Sequence, residues 1–525
     1  MKARRLVVIG LDGGTYDVLE PLMEMGAMPH LQALRRRGAF GELTSVVPPV
    51  TGPAWTAMAT GISPWKCGAY SFVMSHRDSW TYTTISSAHL RGRAFWDLLA
   101  EAGHVPGVWN YPTLYPVYPS QGFMVSGILA AQNHDITWPT DLRDELTRLV
   151  GQYLIYVKYA DKAYYDNETR FITDINDLID QNTRVLQYLL HEKRWNVFTG
   201  VISAPDFIQH YMWKHWDRDH PMHDTSSEPY REAFVGLWRR IDDMLGLAAA
   251  ACNDDTYLMI VSDHGFGPTT ETFYLNVWLR ENGFLVLKRG SAFTDAKKRA
   301  LSVASGWLRT VDRRLGTRFL RSAKRFVNPV SRRYFDAFDL EQSAAISARI
   351  SHSIEGIYLL DPKRRDELIE KLGKIVKPDG TPLKVQIHSR EGICGAGDHE
   401  DAPDLFITVD DFRCQLPPDH DRRSWYDDRP YPNRTGGHRM NGMYLLTGPD
   451  VRAEQRRLDL LDVAPTLLYA LKAAIPSHMD GKPRTELFNR TNGPDYVQRR
   501  APDSSEAPSA SNIEIEDVLK SLGYM

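Results

Sequence analysis

Short β-rich runs separated by stretches of helical periodicity restrict most tightly how this chain can fold. Such runs occupy 6–11, 40–45, 196–203, 256–262, 405–409 and 443–447. Those at 6–11 and 256–262 are apolar at odd and even positions alike, which a strand needs only when both its faces are buried. Between the runs, residues 28–37, 53–60, 230–250 and 460–471 read as helices. Gly38 ends the first of these, and Pro53 opens the second, where a missing N–H costs nothing. The alternation predicts an α/β fold with a mostly parallel central sheet flanked by helices on both faces. In such sheets ligands bind beyond the carboxyl ends of the strands. Asp12 directly follows the run at 6–11, Asp263 and His264 directly follow 256–262, and Asp206 lies just past 196–203.

With 525 residues, the chain exceeds one simple core. The sequence divides into a first part of the catalytic core at 1–286, a basic helical insertion at 287–335, the remainder of the core at 336–490, and a polar tail at 491–525. Within the first part, 110–190 is rich in Tyr and Pro and then helical, and is expected as a cap beside the site. In the basic insertion only Asp295 and Asp312 are acidic, and Leu308, Val311, Leu315 and Phe319 recur at helical spacing. It reads as a basic amphipathic helix: a solvated helix packed on the body, a lid attracting an anionic substrate, or a membrane-surface helix. Net charge is −3, which points neither to nor away from nucleic acid. Cys67, Cys252, Cys394 and Cys414 are widely spaced, which disfavours a disulfide framework or thiolate zinc site and suits a reducing, cytoplasmic setting. The apolar run at 6–11 is shorter than the roughly 7–15 residues of a signal-peptide core. No run reaches the ~20 apolar residues of a membrane helix.

Seven residues carry the chemistry: Asp12, Thr51, Asp206, His210, Asp263, His264 and His438. Taken singly, several have ordinary structural roles. Asp12 before Gly13-Gly14 suits a turn, Thr51 suits a helix N-cap, and a lone His438 suits a surface. Asp206 and His210 form a D-x-x-x-H pair that shares one face of a helix. His438 follows two glycines, which let backbone approach a ligand closely. Carboxylates and imidazoles without cysteine suit catalytic zinc, and also manganese. Two ions roughly 3.5–4 Å apart can clamp the attacking and leaving oxygens of an in-line displacement. A threonine hydroxyl becomes a competent nucleophile when coordinated to metal. Trp55, Tyr70, Phe72 and Trp216 are candidates for an aromatic substrate pocket.

The segments VVIGLDGGTYDVL, MPHLQALRRRGAFGELTSVVPPVTGPAWTAMATGISP, SAPDFIQHYMWKHWDRDHP, LMIVSDHGFGP, APDLFI, GGHRMNGMYLLTGPDV and LLDVAPTLLYAL occur in order across 6–482. Together they resemble the alkaline phosphatase superfamily, and most closely its type I phosphodiesterase/nucleotide pyrophosphatase branch, in the bacterial group of predicted phosphohydrolases or phosphomutases. The resemblance implies an alkaline-phosphatase-like core with inserted cap segments. It also implies two metal sites, one held by Asp206, His210 and His438, the other by Asp12, Asp263, His264 and the Thr51 oxygen. Thr51 would form a covalent phosphothreonine. The expected substrate is a small phosphorylated molecule (a nucleotide, nucleotide sugar or phospholipid-headgroup-like diester) rather than a nucleic-acid polymer. A phosphomonoesterase or phosphomutase is the alternative enzyme, and a degenerate scaffold binding partners through the basic insertion is the non-enzyme alternative. The chain departs from the pattern at Ala54, where diesterases often have asparagine, and at Cys67, where relatives usually have histidine. Thr51-Gly52-Pro53-Ala54-Trp55 lacks the C/S-x-P-x-R run of sulfatases.

Overall fold

A computed structural model describes residues 4–130, 136–158, 164, 167–288, 334–395, 399–490 and 492–499. The central sheet has nine strands, in the order Leu458–Asp459, Ala39–Thr44, Asn441–Thr447, Thr256–Val261, Arg5–Leu11, Val197–Ile202, Pro106–Tyr111, Phe123–Ser126 and Thr137–Trp138. Arg5–Leu11 pairs in parallel with Val197–Ile202 on one side and Thr256–Val261 on the other. Only Asn441–Thr447 and Thr137–Trp138 run against the common direction. Val7, Ile9 and Leu11 enter one buried layer, while Leu6 and Val8 enter the other. Successive side chains point to opposite faces, so a strand covered on both sides has to be apolar throughout.

The first layer is built by helices Tyr16–Glu24, Pro29–Arg35, Glu168–Glu192, Ala204–Trp216 and Glu228–Ala250. The second is built by Thr51–Thr60, Phe95–Glu101 and Val463–Ala470. The segment 110–190 therefore contributes to the body. Its strands Phe123–Ser126 and Thr137–Trp138 extend the sheet, and Phe171, Ile175, Leu178 and Ile179 of the long helix enter the core.

The apolar run near 405–409 belongs to a second sheet. Leu405–Val409 pairs antiparallel with Glu355–Leu359 and Val385–Ser389, and Ala345–Ser347 completes the four strands. All five of its residues are buried, as in a central parallel strand, so apolarity alone does not distinguish the two settings. The amphipathic pattern at 308–319 lies outside the described residues, as do 500–525 of the tail. Among the described residues, no helix is long and apolar enough to cross a membrane.

One consequence of this topology governs the site. The strands before Asp12, Asp206 and Asp263 end at one edge of the sheet. Asn441–Thr447 runs the other way, with Asn441 opposite Thr44, so His438, just before it, reaches that same edge. Thr51 follows Ala39–Thr44 and arrives there too.

Candidate active site

Each of the seven residues is delivered by a different local device. Asp12 follows the central strand, and Gly13 turns the chain with φ of +70° where a β-carbon would lie 2.8 Å from the Phe266 ring. Thr51 is the first residue of helix Thr51–Thr60, whose cap position is Val50, so its hydroxyl is not an N-cap. The helix starts two residues before Pro53, which is tolerated because first-turn amides have no intrahelical partner. Asp206 and His210 sit one turn apart on Ala204–Trp216. Asp263 and His264 follow Thr256–Val261. His438 lies in Gly436–Arg439, which pairs antiparallel with Gly265–Pro268 and sets His438 opposite Phe266.

The side chains converge in a buried cluster, none more than 3% exposed. Thr51 Oγ1 lies 3.4 Å from Asp12 Oδ1 and 3.4 Å from His264 Nε2. His264 Nε2 is 3.6 Å from Asp12 Oδ1 and 3.2 Å from Asp263 Oδ2. At the other end, Asp206 Oδ1 is 3.2 Å from His438 Nε2 and 3.4 Å from His210 Nε2, and these two nitrogens are 3.0 Å apart. Potential ligand atoms fall into two groups, Asp12–Asp263–His264 and Asp206–His264–His438. His264 thus stands between the sets, whereas the sequence assigned it to one. Its ring stacks on that of His438 with centroids 3.8 Å apart.

Backbone carbonyls orient all three imidazoles. Nδ1 of His210 faces Gly436 O at 2.8 Å, that of His438 faces Pro49 O at 2.9 Å, and that of His264 faces Gly265 O at 3.1 Å. A carbonyl only accepts, so each Nδ1 carries the proton and each Nε2 presents a lone pair to the centre. This is the outer arrangement that fixes metal-ligating histidines. Burial keeps the rings neutral: it pushes His438 down to about 3 and lowers His210 and His264 far below the usual imidazole range. Burial also pushes Asp206 up to about 6, and raises Asp12 and Asp263 well above the usual carboxylate range with help from neighbouring carboxylates.

Three carboxylates and three inward lone pairs in a dry cluster are mutually unfavourable without cations between them, and bound cations invert that logic. Asp263 Oδ1 accepts the Gly13 N–H at 3.1 Å, but among the described residues its Oδ2 accepts no hydrogen bond. The donor set fits divalent ions.

Two of the four aromatic candidates touch segments that form the cluster. Trp55 is fully buried, and its indole N–H donates to Asp12 Oδ2 at 3.3 Å. Phe72 lies against Gly52 in the first turn of the Thr51 helix. Tyr70 stacks on Trp65 at 4.4 Å and donates to Ser75 O. Trp216 stacks on Phe234, ten residues beyond Asp206 and so about 15 Å along the helix axis. Sequence reasoning missed two residues. Arg434 places Nη1 3.5 Å from His210 Nε2, and His352 lines a cleft with Arg434, His210 and His438. Arg434 stands four residues before His438, close enough in sequence for that motif to have drawn attention to it. His352 lies in no such motif.

The model of the type I phosphodiesterase / nucleotide pyrophosphatase family matches residues 6–415. No curated protein matches the sequence. Among solved structures, human ectonucleotide pyrophosphatase/phosphodiesterase 5 superposes with a TM-score of 0.50 at 15% identity, covering 93% of this chain and 100% of that one. Phosphonoacetate hydrolase from Sinorhizobium meliloti 1021, in complex with phosphonoacetate, superposes with a TM-score of 0.55 at 14% identity, covering 90% and 96%. At such identities these likenesses establish the fold. The family match spans most of the chain and includes six of the seven clustered residues, all but His438. The chain belongs to the type I phosphodiesterase/nucleotide pyrophosphatase family of phosphoric ester hydrolases.

Proposed function

We propose that this protein hydrolyses a small phosphoric ester by way of a covalent phosphothreonine at Thr51. The observation that carries this reading is the place of Thr51 Oγ1. It is the one hydroxyl among the seven clustered residues, 3.4 Å from both a carboxylate and an inward-facing imidazole nitrogen. Asp206, His210 and His438 would hold one divalent ion, Asp12, Asp263 and Thr51 the other, with His264 between them. Zinc is the first choice for imidazole and carboxylate donors, and manganese the second. When bound, such ions supply Lewis-acid charge and make a hydroxyl acidic.

The chain's own residues do the rest. Asp12 and His264 fix the direction of the Thr51 oxygen. An Oγ1–phosphorus bond forms as the ester P–O bond breaks, and the hydroxyl proton ends on the departing alcohol. Water then takes the place of Oγ1 on phosphorus and returns a proton to it, so two in-line displacements retain configuration. With Thr51 as its first residue, helix Thr51–Thr60 would bring its positive end beside the transferred group.

The test compares metal-loaded wild type with Thr51→Ala and Thr51→Ser. Loss of a nucleophile costs up to about 10⁶ in kcat. Thr51→Ala is expected to lose turnover and keep its metal, and Thr51→Ser to retain part of the rate. Mass spectrometry of acid-quenched wild type should find phosphate on the peptide carrying Thr51. A Thr51→Ala protein with near-normal turnover rules out the covalent route.

A further inference from the structure

Gly13 is the point at which the two groups of ligand residues are tied together. Its N–H donates to Asp263 Oδ1 at 3.1 Å, inside the Asp12–Asp263–His264 group. Its carbonyl accepts Nε2 of Gln209 at 2.9 Å. Gln209 stands between Asp206 and His210 on helix Ala204–Trp216, so this bond reaches the helix that serves the other group. The same Nε2 donates to Pro205 O at 3.1 Å, four residues back along the helix. That second bond holds the side chain against its own helix, in the direction in which helical side chains lean.

The amide has only one workable orientation. Both partners are carbonyl oxygens, which accept and never donate, so the nitrogen must face them. The side chain is 0% exposed, and among the described residues its Oε1 has no hydrogen-bond partner. An unsatisfied buried oxygen is costly, and a residue needed only to fill space would be apolar. Phe266 is such a residue: it lies against Gly13, with its ring centroid 4.7 Å from that of His210 and 5.4 Å from that of His438. Glycines allow close approach on both sides of Gln209. A β-carbon on Gly13 would lie 3.2 Å from Gln209 Nε2, and one on Gly436 would lie 2.4 Å from Gln209 O. The Gly436 carbonyl is the one that orients His210.

On the reading of the cluster as a two-metal site, we infer that Gln209 is a positioning residue that sets the separation of the two ions. It holds backbone rather than an ion. Its amide ties the turn after Asp12 to the helix of Asp206 and His210, and the Gly13 N–H ties Asp263 to the same turn. His264, which belongs to both groups, is then shared at a fixed distance. Strand pairing alone does not supply this. Asp12 and Asp263 follow strands paired directly with each other, whereas Asp206 is carried past its strand on a helix. An in-line displacement needs both ions matched to the entering and leaving oxygens, so the tie between helix and turn bears on the reaction as well as on binding.

The test uses full-length protein loaded with manganese, whose electron paramagnetic resonance spectrum reports whether two ions are close enough to be spin-coupled. Wild type is expected to bind two ions and to give a coupled spectrum. Gln209→Met keeps the length of the side chain and removes both hydrogen bonds. It should bind the first ion normally and the second about 10- to 100-fold more weakly, the usual loss when an outer partner of a metal site is removed. Its spectrum at full loading should lose or change the coupling. Gln209→Asn keeps the amide but is too short to span both carbonyls, and it carries the comparison if Gln209→Met does not fold. Thermal unfolding of the chelated protein reads any purely structural loss. A variant with a lowered Tm but wild-type affinity for the second ion and a wild-type coupled spectrum overturns the inference, as does an equal fall in affinity for both ions. Wild type that binds no divalent ion, or two uncoupled ones, refutes the two-metal reading itself and the inference with it.

Discussion

Gly10 gives the sharpest test of how the sheet positions the site. It lies in the central strand two residues before Asp12, paired with Val201 and Val261. A β-carbon there would overlap Cη2 of Trp55 and lie 2.9 and 3.0 Å from Cζ3 and Cζ2. The indole cannot move aside: it is fully buried and packs edge-on to Tyr111 at 5.7 Å, whose hydroxyl donates to the Trp55 backbone carbonyl at 2.6 Å. Gly10→Ala should therefore destabilise by about 1–3 kcal/mol, the usual cost of overpacking. The three crowded atoms all belong to the six-membered ring of the indole, and Trp55→Phe removes them. In the Trp55→Phe background the added methyl should cost nothing, or stabilise by up to about 1 kcal/mol because alanine is favoured over glycine inside a strand. Guanidinium unfolding of the wild type, both single variants and the double variant measures the coupling. Equal costs of Gly10→Ala in the two backgrounds, to within about 0.5 kcal/mol, would refute the proposed contact. Trp55 also donates to Asp12 and shares a helix with Thr51, so Gly10→Ala should lower activity as well as stability.

Asp263→Asn should lose both metal and activity while the fold survives, because an amide oxygen can still accept the Gly13 N–H now bonded to Oδ1; undiminished metal content by elemental analysis would contradict a ligand role. Metal affinity should rise as pH climbs through about 6, where the Asp206 proton is released. The three histidines add no competing proton near neutrality, since burial already holds them neutral. Competition with a metal indicator at pH values on either side of 6 measures this, and a flat affinity would contradict it. In the metal-free protein the same carboxyl contributes stability that is full below the unfolded value of 3.8 and is lost as pH rises through about 6. Asp206→Asn should flatten that part of the stability profile of chelated protein.

The residues at the ends of strands were legible because two independent signals coincide there. An apolar run long enough for one strand stops at a charged or imidazole side chain, as at Leu11–Asp12 and Val261–Asp263. What lies between the ends is set by pairing, which no local pattern encodes. His264 reads as a neighbour of Asp263, yet it reaches the Asp206 group because Gly265–Pro268 pairs with Gly436–Arg439 and stacks His264 on His438. The run at 405–409 has the composition of a central strand but pairs antiparallel in the second sheet, since burial and not direction is what an apolar run records. The aromatic candidates show the same ambiguity. Trp55, Tyr70 and Trp216 pack in the protein core, where large rings bury area as readily as they would in a pocket. Arg434 and His352 were the least legible because both lie on irregular segments that lead into different sheets and come together only in the fold. The seven clustered residues depend instead on strand ends and on the helices Thr51–Thr60 and Ala204–Trp216 that follow them.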